Sequence, residues 1–394
     1  MAEETPQESH EDPKEEFFEN EATDVEVEDV GETAGEAKPW DPSKIRISTK
    51  PFSLRQVVDM IGDEDIDLAP DFQRLYVWKP VQRSRLIESI LLGIPLPAFY
   101  FNQDLEGAMQ VVDGVQRLTT IHKFVVGGEV LSDLEYLKDL EGQRFKDLDV
   151  VLRRRFQQTQ IFVNVIEPQT PDDVKFDVFR RINTGGSPLT PQEIRHCMSR
   201  KRSRELFKQL TNLPAFHQAT DGAFKHERRM ADREVALRFC AFRSLAQLDE
   251  YREFSSLDSF LLDFTRRVDG VHLTKPSITE ADLDRISADF ERAMRAAIAV
   301  FGNTAFRKYP SWARRRGPIN RSLFESWAVA LADYEPAQLA PHKDEIMKRA
   351  RALMGEYAYN AAISQGTGDV SKVKLRFQAA REILRNTLSE ETPG

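Results

Sequence analysis

Cysteine is scarce in this chain: 394 residues hold two, Cys197 and Cys240. Without secretory features, so few thiols indicate a reducing compartment and exclude a disulfide framework. Seven histidines are scattered and never fall at ligand spacing with a cysteine, which argues against a structural zinc site. No apolar run approaches the roughly 20 residues that cross a bilayer, so no membrane partner is expected. The first residues are acidic, unlike a signal or transit peptide. A cytoplasmic protein is the expectation.

A basic surplus is also missing, but the net charge of −9 is unevenly spread. Residues 1–40 hold 15 Asp and Glu against Lys14 and Lys38, a net of −13, so the remaining 354 residues carry +4. A mildly basic body bears an acidic tail. Composition predicts that residues 1–38 are disordered and solvating. The alternative is a tail folded over a basic groove, where it would compete with phosphates.

Ordered patterning starts near Pro39. Strands are predicted at 45–48, 97–101, 109–113 and 159–166, the middle two as a hairpin across the polar turn 102–108. Ser53 is a candidate N-cap for a helix over 54–61. Pro80 opens a second helix that Gly93 ends, with Leu86, Ile87, Ile90 and Leu91 as its apolar stripe. Beyond residue 171 strands give way to helices. Thr190-Pro191-Gln192-Glu193 has the form of a capping box, and helical patterns follow over 191–210, 230–247, 256–267, 279–301, 319–333, 342–356 and 371–388. Strands first and helices after predict an α+β protein with a mostly helical C-terminal half. The expected division is an acidic tail 1–38, a first domain 39–200 and a helical domain 201–390.

The chemistry concentrates in Val111-Val112-Asp113-Gly114-Val115-Gln116-Arg117-Leu118. β-Branched residues run into a glycine and then into helical spacing, so a strand should turn directly into a helix. Such a corner exposes unpaired N–H groups where the helix dipole favours an anion. Asp113 adds a carboxylate, and Arg117 a forked donor suited to phosphate. Together they form a seat for a metal–phosphate group. The plain alternative is an ordinary turn, with Asp113 capping the helix and Arg117 in a surface ion pair.

Three stretches, in order, resemble the N-terminal-domain family of the GmrSD restriction endonucleases, of the ParB/sulfiredoxin-like superfamily. They are Pro70-Asp71-Phe72-Gln73-Arg74-Leu75-Tyr76-Val77-Trp78, then Asp113-Gly114-Val115-Gln116-Arg117, then Phe179-Arg180-Arg181-Ile182-Asn183-Thr184-Gly185-Gly186 continuing to Arg195. The stretch from Arg85 to Pro97 fits as well. Val115 stands where the family signature has a glutamine, so any role of that amide is lost here. The resemblance implies a ParB-like nucleotide-binding core, with NTP hydrolysis in some members. Mapped onto this chain, Asp113 would hold Mg²⁺ or orient a water. Arg117 and the amides after Gly114 would hold phosphates, and Asp113, Gln116 and Arg117 would be the catalytic residues. Gln73 and Arg74 would close over the site, joined by Asn183 and Thr184 from the third motif.

These readings predict a Mg²⁺-dependent NTP hydrolase or NTP-gated switch in a restriction or defence setting, with a separate effector or nuclease protein as partner. Two alternatives stand beside it. One is a ParB-like DNA-binding module without turnover, using Arg200, Lys201 and Arg202 in the densest basic cluster. The other is a nuclease, although the C-terminal histidines His272 and His342 sit in no HNH-like setting. Tyr76 and Trp78 are either core or a platform for stacking a base. Glu88 lies off its helix's apolar stripe, as a catalytic carboxylate or as a solvated residue.

Overall fold

The computed structural model describes residues 14–18, 21–31, 44–68, 78–182, 189–225, 229–272 and 274–389. The chain divides into two compact units, one of residues 39–198 and one that joins 1–38 to 199–394. The described part of the tail is therefore neither separate nor structureless. Strands β1 (Glu15–Phe18) and β2 (Glu21–Glu26) form an antiparallel hairpin within the second unit. The expectation of disorder over 1–38 does not hold there. Acidic composition predicts solvation only while no cation is within reach, and here arginines are.

The 39–198 unit is built on a five-stranded mixed sheet. In chain order its elements are β3 (Ile47–Ser53), α1 (Leu54–Gly62), β4 (Ile66–Asp67), α2 (Pro80–Leu92), β5 (Phe99–Gln103), β6 (Met109–Asp113), α3 (Val115–Val125), α4 (Val150–Gln158), β7 (Gln160–Ile166), α5 (Asp172–Ile182) and α6 (Pro191–Met198). The strand order is β3-β7-β5-β6-β4. β5 and β6 form the predicted antiparallel hairpin, β4 runs parallel to β6, and β7 runs parallel to β5. The local signals act as expected. Ser53 caps α1 by accepting from the Gln56 amide, Pro80 starts α2, and Gly93 ends it at φ +80°. Thr190 and Glu193 exchange the two bonds of a capping box, at 3.1 and 2.6 Å.

One sheet face sets the core. Phe99, Phe101, Val111, Val163 and Val165 meet Leu54, Val57, Ile87, Ile90, Leu118, Ile121 and Phe156 from the helices. Each such side chain contributes about 1.5–3 kcal/mol by leaving water. Trp78 is partly buried and packs against this cluster, as the core reading of that ring expects. Val112 is buried too, and α6 lies against β6.

The second unit is helical: α7 (Lys201–Thr211), α8 (Pro214–Ala219), α9 (Ala231–Arg243), α10 (Leu257–Val268), α11 (Glu280–Phe301), α12 (Arg321–Leu331), α13 (Pro336–Leu339), α14 (Lys343–Leu353), α15 (Tyr357–Ser364) and α16 (Val370–Ser389). The single helix expected over 191–210 is two, α6 and α7, because the chain breaks at Ser199 and Arg200. α9, α11, α12 and α16 surround a core rich in phenylalanine, with Phe239, Phe290 and Phe324 buried. The fold class is therefore α+β with a helical C-terminal half, as the order of patterns predicts.

Candidate functional site

β6 ends at Asp113, and α3 begins two residues later. Gly114 joins them at φ +97°. A side chain there is excluded twice over. The angle is one L residues rarely adopt, and an added Cβ would lie 2.3 Å from Cδ1 of Phe99. One left-handed residue thus turns a strand into a helix with no intervening loop. α3 has no side-chain N-cap, so its first turn depends on other partners for its amides.

Arg117 sits one helical turn from Asp113, and its Nη2 meets Asp113 Oδ2 at 2.8 Å. The expected fork for phosphate is already engaged. Nη1 donates to the Pro97 carbonyl, Nη2 donates to the Ala98 carbonyl at 3.2 Å, and the guanidinium lies 4.1 Å from the centre of the Phe99 ring. Burial lowers the Arg117 pKa, and the adjacent Asp113 carboxylate opposes that fall. The Arg117 side chain is 12% exposed while that of Asp113 is 38% exposed. The carboxylate, held from one side, is the group that faces outward. Gln116 lies half-buried on the first turn, where its carbonyl accepts from Thr120 Oγ1 at 2.7 Å.

Gln73, Arg74, Asn183 and Thr184 lie outside the described residues, as does Tyr76. Their flanks are described. β4 points the same way as β6, so the chain leaving it at Leu68 heads for the sheet end that carries Asp113. α5 ends at Ile182 and packs on α6, which lies against β6.

Among the described residues, no group of three or more His, Cys, Asp or Glu side chains could hold a metal. A lone carboxylate fits Mg²⁺ only as the ion arrives on a nucleotide, since Mg²⁺ keeps its waters and takes one or two carboxylates plus phosphates. Asp113 has that capacity because Arg117 engages Oδ2 and no described donor engages Oδ1.

Other expected residues fall elsewhere. Glu88 is not solvated: it is 3% exposed and accepts from the amides of Glu135, Tyr136 and Leu137 at 3.0, 2.6 and 2.7 Å, a structural partnership. Burial works against its ionisation, but those amides outweigh it and hold the carboxyl below its usual range. Nothing in the local sequence signals this long-range partnership. Arg202 binds the carbonyls of Val268 and Ile278 and pairs with Glu280 at 2.7 Å, which ties α7 to its neighbours. The Arg200 amide donates to Asp269, and Lys201 alone of the three extends into solvent, 88% exposed. A cleft lined by Pro80, Ile87, Phe124 and Val130 lies at the far end of α3, where Arg83 and Glu129 neutralise each other.

A mixed sheet whose strand–glycine–helix corner presents a fixed carboxylate defines an α+β domain with a polar site at a strand end. The comparisons name the family. Residues 55–198 match the model described as the GmrSD restriction endonuclease, N-terminal domain, so this stretch of the chain is similar to that domain. No curated protein and no solved structure matches the chain.

Proposed function

We propose that the 39–198 unit binds a nucleoside triphosphate with Mg²⁺ at the Asp113–Arg117 corner and hydrolyses or senses it. The observation that carries this reading is the outward-facing Asp113 carboxylate, fixed by a buried arginine beside an uncapped helix start. In this reading Asp113 holds the nucleotide's Mg²⁺, which supplies positive charge to the β- and γ-phosphates. The amides of the first turn of α3 orient phosphate oxygens. The dipole adds about 0.3–1 kcal/mol to such an anion, more where water is excluded. Arg117 acts by holding Asp113 rather than by reaching phosphate. In hydrolysis, water attacks the γ-phosphorus, the β–γ bond breaks, and the diphosphate leaves with the bond's electron pair. A separate effector protein that responds to the nucleotide state completes the restriction setting. Gln73, Arg74, Asn183 and Thr184 belong to the proposal as residues that close the site.

The test is a thermal-shift series of the whole chain with each of the four NTPs, with and without Mg²⁺, alongside phosphate release. A ligand at a hundred times its Kd stabilises the folded state by about 2.7 kcal/mol. A Mg²⁺-dependent rise in Tm with at least one NTP, abolished by Asp113→Asn, is expected. If no NTP raises Tm, or if Asp113→Asn leaves the rise intact, the site is not there.

A further inference from the structure

The helical unit contains a groove of buried cations that its own N-terminal strand fills. Asp24, Glu26 and Glu28 recur at every second residue, Asp24 at a left-handed φ of +56° and Glu28 just beyond the end of β2. Each meets a different cation. Asp24 accepts from both terminal nitrogens of Arg307 at 2.6 Å, Glu28 from both of Arg238 at 2.9 and 2.5 Å, and Glu26 pairs with Lys308. From β1, Glu16 accepts from both terminal nitrogens of Arg321 at 2.9 and 3.1 Å. The backbone joins in: the Glu26 amide donates to the Ile319 carbonyl, and the Ile319 amide to that of Asp24, both at 2.8 Å.

This hold is ionic rather than apolar. Val25 is the only buried hydrophobic side chain among described residues 14–31, whereas Phe17 is 68% and Val27 51% exposed. One buried valine is a small gain beside the entropy of ordering the segment. Beneath the strand, Glu234 and Glu325 offset part of the positive charge. Arg238, Arg307, Lys308, Arg321 and Arg376 therefore face two carboxylates when the strand is discounted.

A second, independent feature adjoins the groove. The loop over 308–320 has groove residues at both ends, Lys308 at one and Ile319 and Asn320 at the other. At its tip Arg314 and Arg315 are exposed and have no acidic partner among the described residues, and Trp312 is 49% exposed. Exposed arginines beside an aromatic ring suit a phosphate backbone with a base stacked on the ring. A row of cations covered by one chain segment matches a single strand rather than a duplex.

We propose that this groove and the tip residues Arg314, Arg315 and Trp312 bind the phosphate backbone of single-stranded nucleic acid, and that the acidic N-terminal strand is a built-in competitor for the same cations. The experiment is fluorescence anisotropy of a labelled oligothymidylate with the full chain across a salt series. The Arg314→Gln/Arg315→Gln double variant weakens binding about tenfold or more. It also flattens the slope of log K against log salt by about 1.4, at about 0.7 per phosphate contact on single strands. Asp24→Asn/Glu28→Gln, which loosens the competitor, tightens binding about tenfold. Glu16→Gln is the milder variant, should the double variant fail to fold, and tightens it about threefold. Any of three results overturns the proposal: no oligonucleotide bound at low salt even by the loosened variants, affinity indifferent to Arg314 and Arg315, or a duplex preferred over the single strand.

Discussion

Arginine meets carboxylate in two places, with opposite outcomes. At the end of β6 a single pair, Arg117 and Asp113, leaves the acid outward and the base buried. In the helical unit Arg238 touches Glu28, Glu234 and Glu325, while Arg376 is bound to Glu325, with both side chains of that last pair wholly buried. The first arrangement fixes one carboxylate and keeps coordination capacity in reserve. The second uses its charges on each other. A pair whose carboxylate is exposed contributes less to stability, because solvent already screens that partner. Buried partners, once separated, leave an uncompensated charge. Nucleotide binding is therefore sought at the pair that is stabilised least, and folding dependence at Glu325 and Arg376, the part of the network beneath the N-terminal strand.

The comparison can be broken most forcefully in the helical unit. Glu325→Ala strands Arg376 and part of the charge on Arg238 in a dry interior, at a cost of about 3–5 kcal/mol. Urea unfolding should show the midpoint falling accordingly, and a loss under about 1 kcal/mol would mean that the network is not compensated as drawn. Next comes Gly114→Ala, which combines a left-handed angle with a clash against Phe99 and should cost about 3 kcal/mol. Its effect belongs to the 39–198 unit, so two melting transitions, if resolved, should shift unequally.

Glu88→Ala is smaller, about 1–3 kcal/mol for the amides left without an acceptor. Its pH dependence has a definite sign. The carboxyl is held below its ordinary value, so its stabilisation is complete above the unfolded pKa of about 4.3 and disappears as pH falls through the lower folded value. Denaturation followed from pH 6 downward should show the wild type and the variant converging in acid.

Much of the first unit was legible as local grammar. Ser53, Pro80, Gly93 and the Thr190–Glu193 box mark helix ends through bonds made within a few residues. The alternation of β5 and β6 gave their hairpin for the same reason. Asp113, Gly114 and Arg117 could also be placed together, since an i,i+4 pair on a helix start needs no distant information. The direction in which Arg117 points could not be read, because its partners, the Pro97 and Ala98 carbonyls, lie 20 and 19 residues back, in the segment that leads into β5. Glu88 resisted for a like reason: its three donors lie more than forty residues away. The tail misled more deeply, since its acidity is the same whether it meets water or Arg238 and Arg307.

The order of residues alone determined where strands and helices begin, the α+β class and the corner at Gly114, because these depend on backbone angles and short-range spacing. Only the folded chain decided which charges are spent and which remain. Whether a carboxylate finds a cation or stays open depends on what distant segments bring within about 3 Å, and no local pattern records that.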